Sequence, residues 1–587
     1  MSSTHRQTAP GQPIPNPEDF PVSWENPQDA KLTWGLDNHA TEPMGPLSRS
    51  VSVAILQGFN TAFGQFGLPI HLRVRFINGY GYEAVVPSAA PPEAVIKTIG
   101  AVNRFAPAVV KLLMGRMTAG MAKQQLDRLN PILERLDTYW QDELLPEIKQ
   151  HLAYFESCDL RGLSHEQLRA HFSGSLKRAE RVTELHARAT FSAMMAVGLF
   201  EELYCEVFEG ATSLDAMRLL QGFDNQTLVG DRALWQLSRA ALTMPGVRQV
   251  LAECAAADVI PALEQSSEGK RFLADLRTYL NQYGQRFLEI AEPSWIEDPT
   301  PVIEILKAYM TRPNTRPEAE QAWLAAEREK AVAEARARLT GYPQPVVTRF
   351  ETLLEAAQSG TGIKEDSHWS ILPLFYQIRH LALEFGWRLA EAGKLETVDD
   401  VFYLTSDELL DGDSGVIPPV QERVKERRAE LERFRHMTPP PILGKMPLFV
   451  PEDSGPFSQV RKKGDLAVRP GNSGDAQSLH GSPGSAGVVR GIARVVNSLA
   501  EAGKLQPGDV LVTKMTMPPW TPLFATAVAV VTDTGGVLSH AAIVAREYRI
   551  PAVVGTGRAT KTFHDGQILE VDGKAGTVRV IPSLGEE

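Results

Sequence analysis

The chain has 587 residues, more than one hydrophobic core accommodates, so several domains are expected. Its formal net charge of −11 and pI near 5.7 argue against a broad basic face for nucleic acid. No run of 18 apolar residues and no apolar leader occur, so neither a membrane span nor a secretory signal is expected. The three cysteines, Cys158, Cys205 and Cys254, are far apart and form no CxxC, which fits thiols in a reducing cytoplasm.

Residues 1–21 are polar and proline-rich and read as a disordered tail. Residues 22–438 read as a mainly helical domain. Near 70–87, β-branched and aromatic residues flank Asn78-Gly79, the signature of a hairpin. Further on, Leu126, Leu129, Leu133, Leu136, Trp140, Leu144, Ile148 and Leu152 recur every three or four residues, one apolar helical stripe, with Pro146 as a kink. Residues 322–339 are charged nearly all round and read as an exposed helix. Leu374, Ile378, Leu381, Phe385 and Leu389 make another stripe, with Gly393 as its C-cap.

Residues 439–477, opening on three prolines, read as a linker with a flexible-chain reach of roughly 35 Å. Residues 478–585 change character. Short strands at 509–513, 527–532, 551–555 and 568–571 surround one helix, and 572–576 turns a hairpin. The fold class is therefore α+β and multidomain: a largely helical domain, then a C-terminal α/β domain.

The densest chemistry lies in 534–555, TGGVLSHAAIVAREYRIPAVVG. Gly535 and Gly536 permit a turn with bare backbone amides. Ser539 is a good N-cap, so His540 opens a helix at the end of a strand. Unpaired amides and the positive helix end favour an anion there and lower an imidazole pKa. A neutral ring keeps a lone pair for attack on phosphorus. A histidine capping its own helix is the competing reading. Arg546, on the same helix, contacts phosphate or anchors the domain. Thr513, Lys514, Thr516 and Trp520 fall in a strand-to-loop stretch that the fold would place beside the histidine, with Lys514 and Thr516 as phosphate-holding candidates and a solvated loop as the competing reading.

This stretch resembles the signature of the swivelling phosphohistidine domain of phosphoenolpyruvate-utilising enzymes, a family with phosphoenolpyruvate synthase, pyruvate phosphate dikinase and rifampicin phosphotransferase. GSPGSAGVVRGIARVV, LQPGDVLVTKMTMPPWTPLF and DGQILEVDGKAGTVRVI extend the resemblance over the domain. It implies that His540 carries the phosphoryl group. Many members have threonine where this chain has Leu538, which weakens an inference to phosphoenolpyruvate as donor. YGQRFLEIAEPSWIEDP, LETVDDVFYLTSDEL and WENPQDAKLTWGLDNHATEPMGPLS resemble the acceptor-binding region of rifampicin phosphotransferase, and still more the histidine-bearing subunit of phenylphosphate synthase.

No ATP-grasp module and no phosphoenolpyruvate barrel is legible. The resemblance therefore implies a separate ATP-grasp subunit that uses ATP and Mg2+ to load His540, with AMP and phosphate as by-products. The acceptor implied is a small aromatic alcohol such as phenol or cresol, bound by the helical domain. A rifamycin-like antibiotic acceptor and a non-catalytic phosphohistidine carrier are the alternatives. Transfer needs a cationic clamp and a base for the hydroxyl proton. Arg286 is the first clamp candidate, then Arg379 and Lys364; His39 is the first base candidate, then Glu365 or Glu289. Arg286 with Glu289 also fits a helical i, i+3 pair, Arg379 a solvated helix face, and His39 a turn cap. No metal cluster is expected.

Overall fold

In the computed structural model, the described residues are 12–14, 19–37, 42–68, 70–88, 120, 122–156, 158–286, 289–310, 317–411, 420–446, 478–517 and 520–581. The helical region begins with strand β1 (Thr33–Leu36), helix α1 (Pro46–Gln65) and the hairpin β2 (Ile70–Ile77) and β3 (Tyr80–Pro87). Asn78 and Gly79 turn that hairpin with φ of 49° and 79°, as the Asn-Gly pair leads one to expect.

Two long helices carry this region, α2 (His165–Val207) and α3 (Gln344–Glu391). Ser164 and Gln167 form a reciprocal capping box at the start of α2. At the end of α3, Gly393 has φ +68°, and Lys394 N donates to Leu389 O, a Schellman closure. α1, α2 and α3 pack around one large core that includes Leu47, Phe172, Phe200, Phe350 and Phe385. Helix α1 approaches α2 closely at Gly58, where a Cβ would meet Glu180 O at 2.3 Å. A second core is built from α4 (Gln226–Thr243), α5 (Ser267–Tyr283) and α6 (Thr300–Met310), around Phe272, Leu306 and Tyr309.

Four local expectations change. Before Pro146 the helix widens into a π turn, Tyr139–Leu144, rather than simply kinking; proline offers no N–H to the preceding turn. Helix α7 (Pro317–Arg338) is not exposed all round, since Leu324, Ala331, Val332 and Ala335 are buried. The expected linker 439–477 starts too early. Ile442–Gly444 is a strand, β4, antiparallel to β1 with Trp34 opposite Leu443, and it completes a sheet of order β2-β3-β1-β4. The tail 1–21 is likewise not wholly loose: Pro13 bridges Lys445, and Phe20 is fully buried beside Trp34 and Tyr82. Residues 447–477 lie outside the described residues.

The C-terminal domain is one eight-stranded sheet of order β5-β12-β11-β7-β8-β9-β10-β6. Its strands are β5 (Ser478–His480), β6 (Ser482–Ser485), β7 (Val488–Val495), β8 (Asp509–Thr513), β9 (Ala529–Thr532), β10 (Ala552–Val554), β11 (Ile568–Asp572) and β12 (Thr577–Val580). β7 through β10 run parallel and the rest antiparallel. Alternate residues of the central strands feed two cores. Val530 and Val554 face α8 (His540–Glu547), while Val531 and Val553 face Phe563 on the other side. The α+β, multidomain class is what the chain adopts. Among the described residues no helix is long and apolar enough to cross a membrane.

Candidate active site

Strand β9 ends at Thr532, and the following loop is tied to the end of β8: Asp533 N donates to Thr513 O and Thr534 N to Lys514 O. Gly535 then adopts φ +106°, and a Cβ there would meet Ser539 at 2.9 Å, so only glycine fits. Ser539 N donates to Gly536 O, and the Ser539 hydroxyl accepts from Ala542 N at 3.4 Å as the N-cap of α8. Arg546, one face further along α8, donates to Val537 O at 2.9 Å and to Gly484 O at 2.8 Å. It anchors the loop to strand β6, and burial pushes its pKa down to about 10.

His540 is the first residue of α8, but it is 4% exposed rather than presented at the surface. Thr516 Oγ1 shares a hydrogen bond with Nδ1 (2.9 Å), and Thr521 Oγ1 with Nε2 (3.1 Å). Phe524 lies edge-on to the ring with centroids 6.1 Å apart. These three partners all belong to the histidine's own domain, and the loop before it is docked on the other. Val537 and Leu538, from the loop before the histidine, pack into the large core of the helical region. Glu365 of α3 is then within electrostatic reach of His540.

On the helical side, Glu365 is 4% exposed and Lys364 Nζ is 3.3 Å from its Oε1. Burial works to raise the Glu365 pKa, but Lys364, His540 and His368 outweigh it and hold the carboxylate below its ordinary range. His368 lies edge-on to His186 of α2 at 6.2 Å, and His186 Nδ1 bonds Ser367 Oγ at 2.8 Å. A cavity with about 20 Å³ free inside it, room for one water, lies alongside. Met194, Val197, Met217, Lys364, Leu538 and Ile543 are among its walls. Ala193 and Gly360, where α2 and α3 cross, also line it.

The other expected residues fall elsewhere. Arg286 is 1% exposed in the second core, its guanidinium over Trp295 (4.9 Å) and Trp369 (4.4 Å). Its Nε and Nη2 have no hydrogen-bond partner among the described residues. It is not paired to Glu289 along a helix; Glu289 instead accepts from Gly45 N at 3.3 Å. Trp369 is four residues from Glu365 on α3, so Arg286 sits about one helical turn below the histidine pocket. Arg379 is a correction. It is buried, its Nε donates to Glu297 at 3.0 Å and its Nη1 to Ile290 O at 2.8 Å, and it lies about 21 Å along α3 from Glu365. Its charge is already matched, so it is neither a solvated face nor a free clamp. Lys514 Nζ is 3.8 Å from Glu42, a contact between the domains. His39 lies outside the described residues.

Thr521, His368 and His186 went unnoticed in the sequence. Thr521 had a signal, five residues after Thr516 in TMPPWTPLF, and Lys364 and His368 stand at helical i, i+4 spacing. His186 had none, being 182 residues away from His368.

Known proteins align with this architecture. Residues 505–576, which include His540, match the family described as PEP-utilising enzyme, mobile domain. Residues 185–365, ending at Glu365, match the rifampicin phosphotransferase fourth domain. Chondramide synthase cmdD of Chondromyces crocatus is 37% identical over 588 residues, 98% of this chain but 14% of the relative. The uncharacterised phosphotransferase YvkC of Bacillus subtilis is 30% identical over 407 residues, covering 68% of this chain and 47% of the relative. A rifampicin phosphotransferase of Streptomyces sviceus is 30% identical over 350 residues, 57% of this chain and 38% of the relative. The chain thus spans less than half the length of each of these relatives. A mobile domain bearing a capped histidine, docked on a rifampicin phosphotransferase-type helical domain, places the chain in the phosphoenolpyruvate-utilising enzyme family.

Proposed function

We propose that this chain passes a phosphoryl group from His540 to the hydroxyl of a small aromatic alcohol such as phenol or cresol. The observation that carries this reading is His540, opening a capped helix whose preceding loop packs Val537 and Leu538 into the helical region, within electrostatic reach of Glu365. In the transfer, the acceptor oxygen attacks phosphorus, the N–P bond breaks, and its electron pair returns to the ring. The hydroxyl proton goes to Glu365, a carboxylate held ionised by Lys364 and the neighbouring histidines. Lys364 offsets charge on the moving phosphoryl group. Arg286 supplies a more distant positive field from the second core. Loading of His540 falls to a separate ATP-grasp subunit, which holds ATP and Mg2+. Among the described residues no group of three or more His, Cys, Asp or Glu gathers.

The small, mostly apolar cavity walled by Lys364, Leu538 and Ile543 favours a small acceptor, one that enters when the mobile domain lifts. A second reading, a rifamycin-like acceptor, draws on the match to the rifampicin phosphotransferase fourth domain. Both are tested by incubating the full chain with an ATP-grasp partner, ATP, Mg2+ and either phenols or rifamycin, with products read by mass spectrometry. Phosphorylated phenol or cresol, absent with His540→Ala, is the expected result. Phosphorylated rifamycin alone moves the assignment to the second reading. Phosphorylated His540 with no product from any acceptor leaves a carrier and sinks both.

A further inference from the structure

Two threonine hydroxyls close both nitrogens of the His540 ring, and both are buried, Thr516 at 3% and Thr521 at 0% exposure. Both come from the segment that follows β8, not from the loop that carries the histidine. A neutral imidazole has one N–H and one lone pair, and a threonine hydroxyl can serve either. The two nitrogens are not equivalent in position. Nδ1 adjoins the carbon that joins the ring to the backbone, so it is the nitrogen nearer its own helix. Nε2 is at the tip and is the atom that can reach into a second domain.

We propose that Thr516 is a positioning residue that accepts the Nδ1–H of His540, and that Thr521 donates to the Nε2 lone pair as a placeholder which the phosphoryl group displaces. This rests on the reading of His540 as a phosphoryl carrier. In that arrangement loading balances. The bond from phosphorus to its donor breaks and the donor leaves with the electron pair. The Nε2 lone pair forms the N–P bond, and the Nδ1 proton stays on the ring against Thr516. Thr521, released from Nε2, keeps a hydroxyl beside the new group and donates to a phosphoryl oxygen. On transfer the same steps reverse, and the Thr521 bond re-forms as phosphorus departs. Thr516 thus sets which nitrogen reacts, while Thr521 keeps the empty ring from sitting with an unpaired polar atom in a buried site.

The test uses the full chain labelled with 15N in its histidine rings, with the His540 signals assigned by difference from His540→Asn. The expected result is the Nδ1–H tautomer in the wild type, a mixture of tautomers in Thr516→Val, and the wild-type pattern again in Thr516→Ser. A second arm loads the protein with phosphoramidate and identifies the phosphohistidine isomer by 31P NMR. Thr516→Val should load about tenfold more slowly and give both isomers, the effect of one lost hydrogen bond. Thr521→Val should keep the Nε2 isomer but lose phosphate to water faster. An Nε2–H tautomer in the wild type overturns the proposal, and needs no variant to fold. So does a Thr516→Val protein with the wild-type tautomer and a single isomer. If instead the tautomers are as expected but His540 takes phosphorus neither from phosphoramidate nor from ATP with a partner, the carrier reading fails and with it the placeholder role of Thr521, while Thr516 stands as the residue that fixes the tautomer.

Discussion

Glu547, the last residue of the helix that opens with His540, accepts a hydrogen bond from the backbone amide of Gly222 in the helical region at 3.1 Å. One helix therefore carries the reactive ring at one end and a docking contact at the other. Two residues on, Arg549 stacks over Trp323 of α7 at 3.8 Å.

That contact should make docking depend on pH. Burial pushes the Glu547 carboxyl up to about 7 from its ordinary 4.5, against the pull of Gly222 N, Arg546 and Arg328 and with Asp224 adding to the rise. Its Oε2 has no hydrogen-bond partner among the described residues. The docked form then holds a proton that a released, solvated Glu547 gives up between about pH 4.5 and 7. Docking is strongest below that window and weakens as pH rises through it. Small-angle scattering or a fluorescence pair across the two domains, read from pH 5 to 8, should show opening toward high pH. Glu547→Gln should flatten the profile, and Trp323→Ala should favour the open form at every pH.

Glu365→Gln should slow transfer to the acceptor by about a hundredfold or more while leaving His540 loading intact, because only the second step uses its carboxylate. Its pKa is held below the ordinary 4.5. Its contribution to transfer, and to stability, is therefore complete above that value and is lost as pH falls through the depressed one. Single-turnover transfer from preloaded protein measures the step directly.

His540→Ala should abolish transfer and also cost stability. The ring is buried and bonded at both nitrogens, so its loss leaves the Thr516 and Thr521 hydroxyls without their partner, a cost of about 1–3 kcal/mol. Thermal melting of the variant should register it, in contrast to the near-silent change that a surface histidine would give.

Gly535→Ala should disturb loading without touching the ring. The residue has φ +106°, and the added methyl would meet Ser539, the N-cap of α8. Strain of this kind costs about 1–3 kcal/mol. The expected outcome is a lower melting temperature together with slower loading, since the cap that orients His540 shifts with it.

Much of the local structure was legible in the residues themselves. The Asn78-Gly79 turn, the Ser539 cap, the Gly535 backbone, the Gly393 helix end and the short strands of the C-terminal domain each follow from contacts a few residues apart. Short-range sterics and capping act the same way wherever the segment ends up. Tertiary packing decided the rest. Strand β4 pairs with β1 across some 400 residues, and its three-residue apolar run, set off by prolines, carries no signal of that partner. The burial of His540, the nearness of Glu365 and His368, the retreat of Arg286 into a tryptophan cage and the pairing of Arg379 with Glu297 all depend on which surfaces meet. Periodicity marks a buried face but does not name what covers it, and in this protein Val537 and Leu538, from the loop before the histidine, are covered by another domain.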